Sequence, residues 1–148
     1  METPLDSATS WFLESLNHAS GVLEVRVAEG ILSSRFEPLI IGAVNLGPAQ
    51  SVDVTASSRH YLLQFQQVLA YEVVLESYAR PDKHGEASRH RLRTYARSEY
   101  LDFIASHTSI LALAAEPYQH FALVLADEII NVIAAQAPEV LAQPVGGV

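Results

Sequence analysis

Along residues 22–28 the chain alternates in polarity. Leu23, Val25 and Val27 fall on one face, while Glu24 and Arg26 fall on the other. A period of two is the mark of a half-buried strand. The same reading predicts short strands at Ile31–Phe36, at the β-branched run Leu39–Val44, and at Ser51–Ala56. Residues 59–79 fit either a strand pair or a helix. The β-formers in Tyr71-Glu72-Val73-Val74-Leu75 favour strands at about 59–66 and 69–78, broken near Gln67. Arg80-Pro81-Asp82-Lys83-His84-Gly85 reads as a loop and Arg89–Ala96 as a strand. His120–Leu125 and Ile129–Ala134 form a closing hairpin that turns at Asp127-Glu128.

Two segments depart from this period. Cap candidates at Asp6–Ser10 precede Trp11, Phe12, Leu13 and Leu16, and Gly21 stands ready to stop a helix, so residues 7–18 are predicted helical. Ser98 is a second N-cap, with Glu99 in the first turn, and opens a helix running to about His107. Thr108–Ala115 stays ambiguous. The fold class expected is α+β. It consists of a mostly antiparallel β sheet or partly open barrel, one N-terminal helix, and one helix after the basic strand. The length of 148 residues suits one globular domain over residues 1–142, with 143–148 as a flexible C-terminal tail.

Charge changes the picture more than composition does. The net charge is −8, split as −6 over residues 1–79, +4 over 80–97 and −6 over 98–148. An acidic chain disfavours nucleic acid, since phosphate backbones need clustered Lys and Arg. No Cys is present, which excludes a disulfide scaffold and a thiolate site. No stretch approaches the apolar length of a membrane span, and no Lys or Arg precedes Arg26 to form a leader peptide. A cytoplasmic protein is expected. Mean hydropathy of +0.16 points to covered apolar surface and hence to a homo-oligomer.

Candidate chemistry is sparse. The glycines form no phosphate loop, dinucleotide fingerprint or nucleophile elbow. The six histidines lack metal-ligand spacing, so a metal site would need distant strands, such as His60 and His120 with Glu72 or Glu76. No metal, no cofactor and no catalytic residue is expected. Arg89, Arg91 and Arg93 alternate onto one face, as an anion or partner contact or simply as a charged edge. They match Glu72 and Glu76 in charge, which predicts neighbouring strands. Tyr71, Tyr78, Tyr95 and His120 are candidate pocket liners, with Glu76 as base or anchor.

Three stretches resemble, together, a family of small, uncharacterised bacterial cytoplasmic proteins. They are residues 69–79, residues 95–103, and His120-Phe121 with Ile129–Ala134 and Ala137–Val140. Short acidic proteins of this kind include immunity partners of bacterial toxins. The resemblance implies Glu76, Tyr78, Arg97 and His120 as the polar positions of interest; the alternative is that each is structural, with a buried Glu76–Arg97 pair tying sheet to helix start. The functional expectation is a non-catalytic interaction protein, such as an immunity or regulatory partner of another protein. The alternative is a small-ligand binder or enzyme with a tyrosine- and histidine-lined pocket.

Overall fold

The computed structural model describes residues 1–83 and 88–145. The described residues form ten strands and two helices: β1 (Trp11–Ala19), β2 (Val22–Glu29), β3 (Ile31–Ile41), β4 (Val44–Asp53), β5 (His60–Phe65), β6 (Val68–Leu75), β7 (Leu92–Tyr95), α1 (Glu99–His107), α2 (Ile110–Leu113), β8 (Gln119–Val124), β9 (Glu128–Ala134) and β10 (Glu139–Gln143). Strand pairing is antiparallel throughout. One sheet has the order β1-β2-β5-β10, a second has the order β6-β9-β8-β7, and β3-β4 stand apart as a two-stranded arm. The α+β class is as expected, and the sheets are open rather than closed into a barrel.

Alternation dictates how the two four-stranded sheets meet. Leu23, Val25 and Val27 of β2 pair with Phe65, Leu63 and Tyr61 of β5, so their side chains share a face. On the other sheet, Phe121 and Leu123 pair with Val132 and Ile130. These faces enclose one core, which also takes in Leu5, Trp11 and Leu92. A 3-10 turn at Pro4–Ser7 closes its lower end. There the Trp11 indole donates to the carbonyl of Leu5 at 2.7 Å. Asp6 ties the turn to the second sheet, its Oδ1 accepting from the Arg91 amide at 2.8 Å and its Oδ2 lying 3.1 Å from His90 Nδ1. Burial pushes the Asp6 carboxyl up, but the bonds from Thr3, Arg91 and His90 outweigh it and hold the group below its ordinary range.

The expected N-terminal helix over 7–18 is instead the 3-10 turn followed by β1. The cause is a bulge. Leu13 pairs with Val27 and Ser15 with Arg26, leaving Glu14 as an extra residue. Leu13 and Leu16 therefore both face the core, although three apart, and the spacing imitates a helix. Gly21 belongs to the β1–β2 turn, where Ser20 and Gly21 both take positive φ. The expected strand Leu39–Val44 instead spans the tip of the arm, turning at Gly42-Ala43. Pro38, read as a boundary, pairs with Pro48 inside a ribbon whose strands each keep one open side. The expected strand at Ser51–Ala56 is the end of β4, which stops at Asp53. Gln143, the first residue of the expected tail, ends β10 and accepts a bond from Arg26 Nη1 at 3.2 Å. His84 and Gly85 of the expected loop, and residues 146–148 of the expected tail, lie outside the described residues. No helix among the described residues is long and apolar enough to cross a membrane.

Phe121 sits at 1% exposure against Phe65, while Leu111 on α2 is 73% exposed. Phe121→Ala should cost about 3–5 kcal/mol in urea unfolding, and Leu111→Ser should stay within about 0.5 kcal/mol of the parent.

Candidate functional site

The second sheet buries one face in the core, so its other face needs its own cover. The residues on that face follow from register. One row runs Glu72, Asn131, Ala122, Arg93 across β6, β9, β8 and β7, and the next runs Ala70, Ile133, His120, Tyr95. Helix α1 lies over part of this face. The uncovered remainder is an open groove of about 640 Å³. Its floor is Val74, Ala122, Val124 and Ile129, and its walls carry Tyr78, Tyr95, Tyr100 and Phe103.

A single chain of hydrogen bonds runs beneath the groove. Ser98 caps α1, and its Oγ accepts from the Leu101 amide at 3.0 Å. The same Oγ lies 2.8 Å from His120 Nδ1, His120 Nε2 lies 2.8 Å from Asn131 Oδ1, and Asn131 Nδ2 donates to Glu72 Oε1 at 2.9 Å. The ends set the direction. The Leu101 amide can only donate and an ionised Glu72 can only accept. Ser98 therefore donates to His120 Nδ1, and His120 donates through Nε2 to Asn131. That tautomer is neutral. Burial opposes a charged ring and lowers the His120 pKa, outweighing the bond to Asn131 and the nearby Asp82 and Glu72 carboxylates, which raise it.

The rings of Tyr95 and Tyr100 stand 5.1 and 5.3 Å from that of His120. Burial, and then the Glu72 carboxylate, push the Tyr100 phenol above its ordinary range, so it stays protonated. Glu72, Glu76, Asp82 and Glu99 line the groove against Arg80 and Arg93. The Arg93 guanidinium is turned onto main chain, donating to the carbonyls of His90 at 3.3 Å and Ser88 at 3.0 Å. The groove is therefore acidic as well as aromatic.

Of the residues singled out from sequence, Glu76, Tyr78 and His120 line this groove together. Arg97 does not. It is exposed and lines a separate recess with Met1 and Ser88, so the expected buried Glu76–Arg97 pair is absent. Arg89 is exposed, and Arg91 precedes β7, which begins at Leu92. The three arginines therefore form no strand stripe. Nor are β6 and β7 neighbours. They are opposite edges of one sheet with β9 and β8 between them, placing Glu72 about 14 Å from Arg93 in backbone terms. Tyr71 points to the far face, stacked edge-on against His18 at 5.2 Å. His60 contacts Glu14 on the first sheet, far from any grouping with His120. No group of three metal-capable side chains exists among the described residues.

Ser98, Tyr100 and Asn131 were not singled out as site residues. Asn131 carried the clearest signal, as the one polar residue inside Ile129-Ile130-Asn131-Val132-Ile133. A polar group in such a run needs a partner when buried. Comparison with protein-family models, curated proteins and solved structures finds no match for this chain.

Because the folded ring of His120 favours the neutral form, its folded pKa lies below the ordinary 6.5. The unfolded chain then takes up the proton first as pH falls. The contribution is complete above about pH 6.5 and declines below it, by at most about 1.4 kcal/mol per pH unit, until the folded ring protonates too. In urea unfolding, His120→Phe should remove this slope between neutral pH and about pH 5. It should also cost about 1–3 kcal/mol at neutral pH by leaving Ser98 and Asn131 unpaired.

Proposed function

We propose that the protein is a non-catalytic binding protein whose groove takes a small organic cation, an amine joined to an apolar or aromatic body. The observation that carries this reading is the meeting of Glu72 with Tyr95 and Tyr100 over an apolar floor. Aromatic faces and a carboxylate together favour a cation, by cation–π attraction and by a charge-assisted hydrogen bond. A volume of about 640 Å³ falls within the range of small-molecule sites. Glu72 gives one oxygen to Asn131 and is half-buried, so its position is fixed before a ligand arrives.

The serine and the histidine of the groove are both engaged within the fold. Ser98 is fully buried and bonded to the Leu101 amide and His120. Both ring nitrogens of His120 have partners. A nucleophile or general base needs a free, reachable atom, and this supports binding over catalysis. The chain of bonds then serves to hold Glu72 and the aromatic rings in place.

The test is calorimetric titration with tyramine, benzylamine and choline, against benzyl alcohol and benzoate. At least one amine should bind, its neutral or anionic counterpart should not, and Glu72→Gln should weaken the amine tenfold or more. Benzoate binding as well as benzylamine, or an unchanged affinity in the Glu72→Gln protein, would sink the reading.

A further inference from the structure

The arm formed by β3 and β4 projects from the sandwich with apolar side chains in water. Alternation puts Leu39 and Ile41 on one face near its tip, Val44 joins them by pairing with Ile41, and Leu46 follows two residues on. These four are 45–63% exposed. A lone two-stranded ribbon is marginal in water without a packed face. The tip also lacks charge, since residues 38–52 contain no Asp, Glu, Lys or Arg.

A second bare surface lies elsewhere on the same chain. β6 is the edge of its sheet. Its inward residues Glu72 and Val74 face the groove, while Tyr71, Val73 and Leu75, with Leu69 beside them, face the other way and are 37–53% exposed. Tyr71 and Val73 pair with Val132 and Ile130, which lie in the core, so this strip continues the core face past the end of the opposing sheet. Beyond the His18 ring of β1, which stands edge-on to Tyr71 at 5.2 Å, the strip keeps its exposed apolar side chains without a covering layer among the described residues.

We infer that the occupant of this strip is the arm tip of a second copy of the chain, exchanged reciprocally about a two-fold axis. The two surfaces match in size and character, four apolar side chains against four, and both stay exposed within one chain. A standard stable interface buries about 1,600 Å² in total, about 800 Å² on each partner, and in a reciprocal exchange each copy offers both its arm tip and its strip toward that area. A two-fold exchange is closed, so it stops at the dimer. The net charge of −8 gives a lipid surface with anionic headgroups no attraction for the arm, whereas a second copy brings the fitting strip with it.

Sedimentation equilibrium on the full chain tests this, with Val44→Asp on the arm and Val73→Lys on β6. The parent should sediment at twice 16.2 kDa. Each variant alone should dissociate at least tenfold more readily, with an unchanged circular dichroism spectrum. An equimolar mixture should associate more tightly than either variant, because the intact strip of one meets the intact arm of the other. Should either variant fail to fold, Val44→Thr and Val73→Thr replace the pair, with the same order of affinities expected. A monomeric parent overturns the inference, as does a parent that instead co-sediments with phosphatidylcholine–phosphatidylglycerol vesicles. A Val73→Lys protein that dimerises like the parent also overturns it, since arm-to-arm contact would then hold the dimer, and so does a mixture no tighter than its components.

Discussion

The second sheet is asked to be wet and dry at once. Its β8 and β9 strands bury Phe121, Leu123, Ile130 and Val132 in the sandwich, and the alternate positions of the same strands must present something to the outside. A nine-residue helix covers only part of that outer face. The polar side chains there, His120 and Asn131, are tolerable because each hydrogen bond is made, and no buried side-chain polar atom among the described residues lacks a partner. Satisfying them requires Ser98 at the mouth of α1 and Glu72 on the edge strand. Helix placement, groove shape and the position of the carboxylate thus descend from one need, the pairing of two polar side chains on the two central strands of the sheet.

The other contacts reinforce this by fixing the ends of the sandwich. The Arg59 guanidinium grips Glu29 with two bonds, Nε to Oε1 at 3.1 Å and Nη2 to Oε2 at 2.6 Å, the Arg59 amide adds a third to Oε1 at 3.2 Å, and the guanidinium stands 5.6 Å from the Trp11 ring. The bond from Arg59 leads in lowering the Glu29 carboxyl, against the opposing effect of burial. Asp6 performs the corresponding task between the first turn and β7. Both carboxylates bridge segments distant in sequence, and both are held below the ordinary carboxylate range. Arg59 and Glu29 thus hold the end of β2 to the start of β5 in the first sheet, and Asp6 holds the N-terminal turn to the segment before β7 of the second.

Much of this was legible from residues alone, and the failures have a common origin. The alternation of Leu23, Val25 and Val27 and the cap at Ser98 both act locally, so β2 and α1 stand where the pattern puts them. The bulge at Glu14 broke the local rule, since an extra residue in one strand moves every later side chain to the opposite face. β10 was missed because Glu139–Gln143 alternates weakly and gains its order from pairing with β5, about eighty residues earlier in the chain. The grouping of Glu76, Tyr78 and His120 was visible as an expectation, and the distance of Arg97 from them was not. Strand order decides such matters, and cross-sheet rows such as Glu72, Asn131, Ala122 and Arg93 leave no trace in a linear pattern.

Gly30 joins β2 to the arm, and its amide donates to the Ser10 carbonyl at 3.0 Å. A methyl group on it would stand 2.7 Å from Val52 Cγ1 and 2.8 Å from Phe12 Cε2. The ribbon beyond it behaves as a lever. With about ten residues on each strand it reaches roughly 34 Å, so a tilt of about 10° at the base sweeps the tip through about 6 Å. That sweep exceeds the ~4.8 Å spacing between neighbouring strands. A hydrogen atom in place of a side chain, at the fulcrum, thus governs the aim of a surface about a dozen residues along the chain, and drift at this one position would misdirect the arm while leaving every residue of its tip intact.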